Sequence, residues 1–534
     1  MSTTTAPSVL PSSVPRAGTV PRVISAFSGT TGLVVKLILL AGMNALAVWA
    51  AYTLATHHHW LAIAVLAVAA GLIDYLYLAR RGTLPAKFLA PGTVLLAAFV
   101  VIPIGYTIDV AFTNYSTGHI LTKAQAVQQI EITSLQPAAN PRTYTMAVAR
   151  SASGKLVLIL QDDSTKKLYT GTTKGLTPLA PGVVKMSGGE IASAQGYTLL
   201  HGIQLFDVDK QLQSFVVPVG SAGGIRPQSS TTAIALKPTL RYDATRGVFV
   251  RLSDGAVFKD DGNGEFAYRG APLLPGWKTY VGAKNFSSIV HNPTVRQPFV
   301  RVFIWTFVFA GGTVFFSFAI GLFLAIALDK RGMRFQRLYR SILIIPWAIP
   351  GFLSLLVWGG LLNDQFGVVN RIFHINVPWL FDANWARVSC ILVSTWLTVP
   401  FFFVVSMGAL QSIPEELIEA ARVDGGGPIQ VFRRVTLPLL LVAVGPLLIT
   451  SFAFNFNNFN NIYLLTKGGP AFTGGGGVAG ATDILISYTY KLAIAQGLGN
   501  DYGLAAAITI IIFLITAVIS TAGFARTRVL EEVV

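Results

Sequence analysis

The sequence predicts an all-α polytopic membrane protein of about eight transmembrane helices, with one inserted and mostly β extracytoplasmic domain. Of its 534 residues, 52% are hydrophobic and only 12% are charged, and the mean hydropathy is +0.59. A helix needs about 20 apolar residues to cross the hydrocarbon core, where only helices and closed barrels satisfy their own backbone. The apolar runs of this chain are long and continuous, which indicates helices.

Eight apolar runs are expected to form these helices. They lie at about 37–55, 60–78, 88–112, 302–328, 341–362, 386–410, 438–463 and 503–524. They divide the chain into a disordered tail at 1–30, helices one to three at 31–113, an external domain at 114–296, and a core with helices four to eight at 297–534.

The hydrophilic stretch 114–296 is predicted to be a compact, mostly β domain. Its segments near 154–160, 197–201 and 247–252 are rich in strand-forming residues and are separated by Asp, Gly and Asn turns. The only cysteine of the chain, Cys390, lies in the sixth apolar run. The external domain therefore has no disulfide, and packing alone must stabilise it.

Lys and Arg are distributed unevenly over the short connections. With the amino terminus inside, the cytoplasmic side receives sixteen: Arg16, Arg22, Lys36, Arg80, Arg81, Lys87, Lys330, Arg331, Arg334, Arg337, Arg340, Arg422, Arg433, Arg434, Arg526 and Arg528. The short loops of the other side hold four: Arg371, Arg387, Lys467 and Lys491. Because positive side chains resist translocation, this predicts cytoplasmic termini and an external 114–296 domain. No nucleic-acid motif contains these cations, so the charge of +16 does not indicate a nucleic-acid partner.

No motif for catalysis stands out. The chain lacks the G-x-x-x-x-G-K-[ST] phosphate loop, so it should not hydrolyse ATP itself. The consecutive residues His57, His58 and His59 do not share a helix face and are expected to form a polar turn. The glycines at 474–477 lack the strand and helix of a phosphate-binding loop. We expect no enzyme, no cofactor bound by this chain and no metal.

A short polar segment at 411–438 lies between the sixth and seventh runs. It contains E-A-A-R-V-D-G at 419–425 and, nine residues later, V-T-L-P. Ser412 and Glu415 have the spacing of a capping box. The helix should stop near Gly425, because glycine accepts the left-handed backbone that ends helices, and Pro428 can start the next helix.

This spacing resembles the EAA loop of ABC-importer permeases, E-A-A-x3-G-x9-I-x-L-P, with Val435 in place of the Ile. In that family the loop docks into a cleft of a cytoplasmic ATPase subunit. The resemblance implies a type I importer core in which ATP is used by a partner subunit. It assigns ATPase coupling to Glu419, Ala420, Ala421, Gly425, Leu437 and Pro438.

The seventh run carries five asparagines within S-F-A-F-N-F-N-N-F-N-N at 451–461. Amides inside a membrane usually face a bundle interior or a wet cavity, because they need partners. Ser451, Phe454, Asn455 and Asn458 follow the i, i+3, i+4, i+7 pattern and share one face of a continuous helix. Amides beside an aromatic ring suit a sugar. Hydrogen bonding between helices would also explain why asparagines occur here. Sugar binding and interhelical hydrogen bonding therefore both stay open at this stage.

This stretch, followed by L-L-T-x-G-G-P, is similar to the MalF family of maltose permease subunits, as is A-F-T-N-Y-S at 111–116. The likeness covers nearly the whole chain. It implies that seven residues bind sugar: Ser451, Phe454, Asn455, Asn458, Leu397, Thr398 and Phe401. The family pattern at the last three is Leu, Gly and Tyr. Thr398 therefore adds bulk and Phe401 removes a hydroxyl, which leaves longer maltodextrins or related α-glucosides open as cargo.

The resemblance implies a permease subunit of an ATP-driven importer for maltose or maltodextrins in the bacterial cytoplasmic (inner) membrane. Its partners are then a second permease subunit (MalG-like), two copies of an ATPase subunit (MalK-like), an extracytoplasmic sugar-binding protein (MalE-like) and membrane lipid. One alternative keeps the fold and changes the cargo, for example to trehalose. A membrane-anchored sensor needs a cytoplasmic output domain, for which no inner loop is long enough. An ion-coupled carrier usually places acids in mid-helix, whereas Asp74 and Asp109 lie near helix ends.

Overall fold

The computed structural model of the chain describes residues 29–56, 60–78, 84–213, 215–219, 223–329, 333–472, 478–494 and 500–533. Contacts divide the chain into two units, residues 1–105 and 106–534. The predicted tail lies outside the described residues except for its last two positions, which begin the first helix. The histidines at 57–59 and the glycines at 474–477 also lie outside the described residues.

The helices of the first part of the chain are α1 (Gly29–Thr56), α2 (Trp60–Leu78) and α3 (Leu84–Leu96), and a π-helical turn (Ala97–Val101) continues α3 into α4 (Ile102–Ala111). Around and within the hydrophilic insertion lie α5 (Lys123–Thr133), α6 (Ile203–Phe206), α7 (Asp209–Gln213) and α8 (Lys284–His291). The remaining helices are α9 (Pro293–Leu328), α10 (Gln336–Ala348), α11 (Gly351–Leu361), α12 (Val368–Phe373), α13 (Ala383–Ser412), α14 (Glu415–Val423), α15 (Pro428–Val431), α16 (Leu437–Phe456), α17 (Phe459–Leu465), α18 (Leu485–Ile494) and α19 (Tyr502–Val533).

Among the described residues, six helical segments are long and apolar enough to cross a membrane: Gly29–Thr56, Phe88–Ala111, Pro293–Leu328, Ala383–Ser412, Pro428–Phe456 and Tyr502–Ala525. The other two predicted runs are helical but irregular. The apolar part of α2, Ala62–Leu78, is shorter, and the run at 341–362 is a bent pair that makes a seventh crossing if it counts as one span. All eight predicted runs are therefore helical, and six of them, or seven with the bent pair, are long enough to cross a membrane among the described residues.

The predicted continuous helix at 341–362 is wrong, because α10 and α11 meet at an angle of 93°. Pro350 precedes α11 with φ −53° and ψ 126°, and Ile349 before it is extended at φ −89° and ψ 130°. Proline lacks the N–H that a helix needs and disfavours helical backbone in the residue before it. The chain therefore leaves the helix over these two residues.

The predicted helix at 438–463 is also interrupted. α16 ends at Phe456, and Asn457 (φ −110°, ψ 16°) and Asn458 (φ −81°, ψ 78°) precede α17. Asparagine side chains compete with the helix for backbone hydrogen bonds and favour caps. Asn458 caps α17, since its Oδ1 accepts a hydrogen bond from the Asn461 N–H at 3.2 Å.

The β-rich region predicted within 114–296 is confirmed. Sixteen described strands lie there: β1 (Leu135–Pro137), β2 (Thr143–Ser151), β3 (Leu156–Asp162), β4 (Leu168–Thr172), β5 (Gly175–Pro178), β6 (Val184–Ser187), β7 (Glu190–Ala194), β8 (Tyr197–Leu199), β9 (Val217–Pro218), β10 (Gly224–Pro227), β11 (Thr232–Pro238), β12 (Leu240–Asp243), β13 (Val248–Arg251), β14 (Val257–Asp260), β15 (Phe266–Tyr268) and β16 (Ala271–Leu273). The longer sheet has the order β5-β4-β3-β2-β11-β10-β9, with the other strands branching from it, and β12 to β16 form a five-stranded meander. The segments singled out in the sequence correspond to β3, β8 and β13.

The motif A-F-T-N-Y-S at 111–116 joins α4 to the β-rich region. The Asn114 Nδ2 donates to the carbonyls of Asn263 (2.6 Å) and Trp277 (3.0 Å), and its Oδ1 accepts from the Thr279 N–H at 2.8 Å. The Asn285 Nδ2, from α8, donates to the carbonyl of Thr113 at 2.8 Å. The Asn285 amide also donates to the Ala111 carbonyl at the end of α4, at 2.8 Å, and so pairs a group that the helix end leaves unpaired.

α9 and α13 pack closely in the core of the second unit. Thr313, Ser317, Gly321 and Ala325 recur every four residues on α9 and are all buried. A Cβ on Gly321 would lie 2.8 Å from the backbone nitrogen of Phe403. Small residues in such a row allow membrane helices to approach this closely.

Candidate functional site

Two amides at the break between α16 and α17 keep unused hydrogen-bonding groups. Asn455 is 1% exposed, and its Nδ2 donates to the Ser451 carbonyl at 2.9 Å, but its Oδ1 has no partner among the described residues. Asn458 uses its Oδ1 as the cap of α17, and its Nδ2 has no partner in the described part of the chain. An unpaired buried acceptor costs about 1–3 kcal/mol. The break therefore holds a buried acceptor without a partner among the described residues, close to the half-buried amide of Asn458.

The face predicted for Ser451, Phe454, Asn455 and Asn458 is only partly present. Asn458 lies beyond the end of α16, so it is not a member of that helical face. Phe454 and Asn455 are consecutive and therefore point about 100° apart around the helix. Phe454 is 68% exposed, whereas Asn455 is buried against the bundle. A ligand between them would meet the ring on one side and the amide on the other.

The residues predicted on the sixth run share one face of α13. Leu397, Thr398 and Phe401 lie three, four and seven positions after Ser394, which places all four on the same side. The Thr398 hydroxyl donates to the Ser394 carbonyl at 2.8 Å. The Phe401 ring packs against Trp347, with ring centroids 6.1 Å apart. The proton of the Thr398 hydroxyl is therefore engaged within α13, and its oxygen can still accept a hydrogen bond.

Asn461 connects the helix break to this face of α13. Its Nδ2 donates to the Ser394 hydroxyl at 3.0 Å, and both residues are buried. Asn457 makes a second bond between helices, from its Nδ2 to the Thr516 hydroxyl of α19 at 3.3 Å. The asparagine cluster thus includes both kinds of residue that the sequence left open: Asn457 and Asn461 join helices, and Asn455 and Asn458 keep free polar atoms.

A polar cluster in the loop between α17 and α18 was not predicted. Asp483 is fully buried, and its carboxylate accepts hydrogen bonds from the Gly480 N–H (2.7 Å), the Ser487 hydroxyl (2.8 Å) and the Lys491 ammonium (2.6 Å). Burial raises the pKa of Asp483, and the ammonium of Lys491 counteracts this effect. The eight-residue separation of Asp483 and Lys491 in the sequence carried no signal that the two would meet.

The same loop ties together the ends of several helices. The Trp305 Nε1, on α9, donates to the Thr482 carbonyl at 3.1 Å, and the Arg387 Nε, on α13, donates to the Ala481 carbonyl at 3.0 Å. Thr482 also shares a hydrogen bond with the hydroxyl of Thr466 at 2.7 Å, just after α17. The loop therefore fixes α9, α13 and α17 to one another at this end.

The segment at 411–438 forms the predicted helix-turn-helix. Gly425 has φ +85°, its N–H donates to the Arg422 carbonyl, and the Gly426 N–H donates to the Ala421 carbonyl, both at 3.0 Å. This is a Schellman motif, which needs a left-handed residue after the helix. Pro428 begins α15, as predicted. The predicted capping box is wrong, because Ser412 belongs to α13 and its hydroxyl donates to the Ala409 carbonyl.

The loop presents an accessible surface. Glu419, Ala420, Gly425 and Pro438 are exposed, and Ala421 and Leu437 are half-buried. The large apolar side chains of Val423 and Ile429 are 87% and 77% exposed. Beside them, a cavity of about 500 Å³ is lined by Leu410, Ile418 and Phe432, among others. An apolar surface of this kind favours contact with another protein.

Long apolar helices around a buried polar break, with an accessible helix-turn-helix between two of them, define a polytopic membrane permease. The chain matches the family described as N-terminal of TM subunit in PBP-dependent ABC transporters over residues 94–174, and the family described as binding-protein-dependent transport system inner membrane component over residues 317–530.

Curated relatives share most of the length of the chain. It is 34% identical over 470 residues to the maltose/maltodextrin transport system permease protein MalF of Salmonella typhi. The matched region covers 84% of this chain and 88% of that protein. It is 34% identical over 462 residues to MalF of Escherichia coli K12 (84% and 88%) and 33% identical over 490 residues to MalF of Vibrio vulnificus YJ016 (88% and 90%). The chain belongs to the MalF family of ABC-importer permease subunits. It is thus a multi-pass membrane transport subunit rather than an enzyme.

Proposed function

We propose that the chain forms one half of the translocation path of an ATP-driven importer for maltose and maltodextrins. The observation that carries this proposal is the helix break, where the Asn455 Oδ1 and the Asn458 Nδ2 have no partner among the described residues. A sugar hydroxyl both donates and accepts, so it can bind to each of these groups. The relatives at 33–34% identity are named as maltose/maltodextrin permeases.

Each predicted site residue then has a distinct role. The Asn455 Oδ1 accepts a hydrogen bond from a hydroxyl, the Asn458 Nδ2 donates one, and the exposed ring of Phe454 stacks on the apolar face of a sugar. Ser451 contributes chiefly its carbonyl, which holds the Asn455 amide in place. The opposite wall is the face of α13 that bears Leu397, Thr398 and Phe401.

Phe454 also supports the presence of a second permease subunit. A ring that is 68% exposed at the level of a buried amide leaves the site open on that side. A MalG-like subunit that covers this side would complete the path and bury the ring. An extracytoplasmic MalE-like binding protein would deliver the sugar to the side that bears the β-rich domain, with both chain termini on the cytoplasmic side.

The helix-turn-helix is the proposed contact with one of two MalK-like ATPase subunits. Glu419, Ala420 and Ala421 lie on α14, and Gly425 ends it with the Schellman turn. Leu437 and Pro438 begin α16, the helix that carries Phe454 and Asn455. A push on the loop would therefore act at the base of the sugar-binding helix. ATP would be bound by the partner and not by this chain.

The cargo test compares uptake of maltose, maltotriose and trehalose by the full importer in membranes. Asn455→Ala removes one hydrogen bond to sugar and should reduce uptake efficiency several-fold to about tenfold, since a lost bond costs about 1–2 kcal/mol. Phe454→Ala should cost more, because it removes a stacking surface as well. If the wild type preferred trehalose, the assignment of maltose as the cargo would be overturned. The assignment of the fold would be unaffected.

Asn457→Ala is the matched control, because the Asn457 amide already bonds to the Ala453 carbonyl and to Thr516. It should lower stability or membrane level and leave the order of preference among the three sugars unchanged. If Asn457→Ala altered that order while Asn455→Ala and Phe454→Ala behaved like wild type, the chosen residues would be the wrong ones.

A further inference from the structure

The first three helices enclose a groove that the transport function does not use. It has a volume of about 700 Å³ and lies between α1, α2 and α3, all within the unit 1–105. Its walls include Leu39, Leu40, Ile73, Val94 and Leu95, which are apolar. The exposed apolar residues of these helices are suited to contact with lipid chains, because membrane helices face hydrocarbon rather than water.

One charged residue, Lys36, lines this apolar groove among the residues described there. Its ammonium donates to the Tyr77 carbonyl in the last turn of α2 at 3.0 Å, and it forms no ion pair with any described carboxylate. An ammonium group among apolar residues is costly unless an anion or a polar group compensates it. Asp74, one turn before Tyr77 on α2, accepts from the Asn44 amide at both oxygens, at 2.9–3.0 Å, and forms no ion pair with Lys36.

We propose that this groove binds an anionic phospholipid of the bilayer, with the headgroup phosphate on Lys36 and an acyl chain along α1. Lys36 lies toward the start of α1, and Leu39, Leu40 and Met43 continue the groove along the same helix. Lys36 and Met43 are seven positions apart, which corresponds to about 10 Å of helix. A cation in an otherwise apolar channel, as the described lining residues form it, matches a charged headgroup and a hydrocarbon chain.

The charge of the ligand follows from Lys36. A zwitterionic lipid would bring its own cation near the ammonium, whereas an anionic lipid compensates it directly. A basic residue near the bilayer surface attracts anionic lipid by about 1 kcal/mol. This corresponds to a preference of about fivefold, since 1.4 kcal/mol is tenfold in affinity.

The test is native mass spectrometry of the purified full complex titrated with phosphatidylglycerol or phosphatidylcholine. The wild type should retain phosphatidylglycerol about fivefold more tightly than phosphatidylcholine. The variant Lys36→Met should lose this preference for phosphatidylglycerol. The separate variant Lys36→Arg, which keeps the positive charge, should retain it. Equal retention of the two lipids by the wild type, or an unchanged preference in Lys36→Met, would overturn the proposal.

A second experiment leaves Lys36 in place and tests the acyl channel. A photoactivatable residue at Leu95, in the groove, should crosslink to phosphatidylglycerol more strongly than one at Leu46, which is 68% exposed on α1 and does not line the groove. Val94→Trp should fill the channel and reduce lipid retention, whereas Leu46→Trp should not. Crosslinking of Leu95 to another protein subunit instead of lipid would show that a protein helix occupies the groove and would also overturn the proposal.

Discussion

The Lys491 ammonium lies 2.6 Å from a carboxylate oxygen of Asp483, which has no exposed surface at all. The pair closes the loop that joins the ends of α9, α13 and α17. The close approach also requires Gly468, because a Cβ there would lie 1.8 Å from the Asp483 Oδ1. This loop therefore fixes α13, which carries Leu397, Thr398 and Phe401, relative to α9 and α17.

Asp483→Asn should destabilise the protein, because it leaves the Lys491 ammonium beside a neutral group. Removal of one partner of a buried ion pair costs about 3–5 kcal/mol. The measurement is thermal unfolding of the full chain in detergent, together with sugar uptake at matched membrane levels. Lys467→Met is the control, since Lys467 is exposed on the same loop and forms no ion pair among the described residues. Equal melting temperatures for both variants would contradict the role assigned to the pair.

Asn461 and Ser394 should be energetically coupled. The bond between their side chains is 3.0 Å long and buried. Interhelical hydrogen bonds in membranes average about 0.6 kcal/mol and reach about 1.7 kcal/mol. A double-mutant cycle of Asn461→Ala and Ser394→Ala, measured by reversible unfolding in lipid, should give a coupling in that range. Asn461→Ala combined with Thr516→Ala should be additive, and coupling of this second pair alone would contradict the assignment.

The β-rich region should lose stability in acid through Asp162. Burial opposes ionisation of this residue, but hydrogen bonds from Ser164 and Thr165 outweigh it and lower the pKa of Asp162 to about 2. A lowered pKa gives stability that is present above the unfolded value near pH 4 and is lost as the pH falls through 2. The shift corresponds to about 2 kcal/mol.

Hydrogen exchange of β3 and β4 in the full chain, corrected for the intrinsic rate, measures this effect. The free energy of opening should fall by about 2 kcal/mol as the pH decreases from about 5 to below 2. Asp162→Asn should remove that dependence, and Ser164→Ala, which removes one donor, should reduce it. A wild-type profile that is flat over this range would show that the carboxylate does not stabilise the region.

Gly425 should be needed for coupling because of its backbone conformation. It has φ +85°, and a left-handed conformation costs about 1–2 kcal/mol for a residue with a side chain. Gly425→Ala should therefore distort the Schellman turn and lower uptake and sugar-stimulated ATP hydrolysis in the full complex. Gly427→Ala is the matched control, because Gly427 has φ −68° and open space around it. Comparable losses in the two variants would show that space at the interface matters, and not the turn.

Local residue chemistry explains why parts of the site were predictable. The end of α14 follows from a glycine that can adopt positive φ, and the start of α15 follows from proline. The face of Leu397, Thr398 and Phe401 follows from helical spacing alone. By contrast, the predicted face of Phe454 and Asn458 assumed that α16 continues, and the capping tendency of Asn458 ended it. The sugar-binding and coupling roles of these residues stay predictions.

The sequence by itself determined the class of protein, the positions of the apolar helices and the β-rich insertion, because hydropathy and residue preference act over short stretches of chain. It also indicated the coupling loop and the asparagine cluster. Only the tertiary structure decided which asparagines join helices and which keep free atoms, since Asn461 and Ser394 are 67 positions apart. It likewise decided the burial of Asp483 with Lys491, because that contact depends on neighbours that the linear pattern does not reveal. The bend between α10 and α11, by contrast, has a local cause in Pro350.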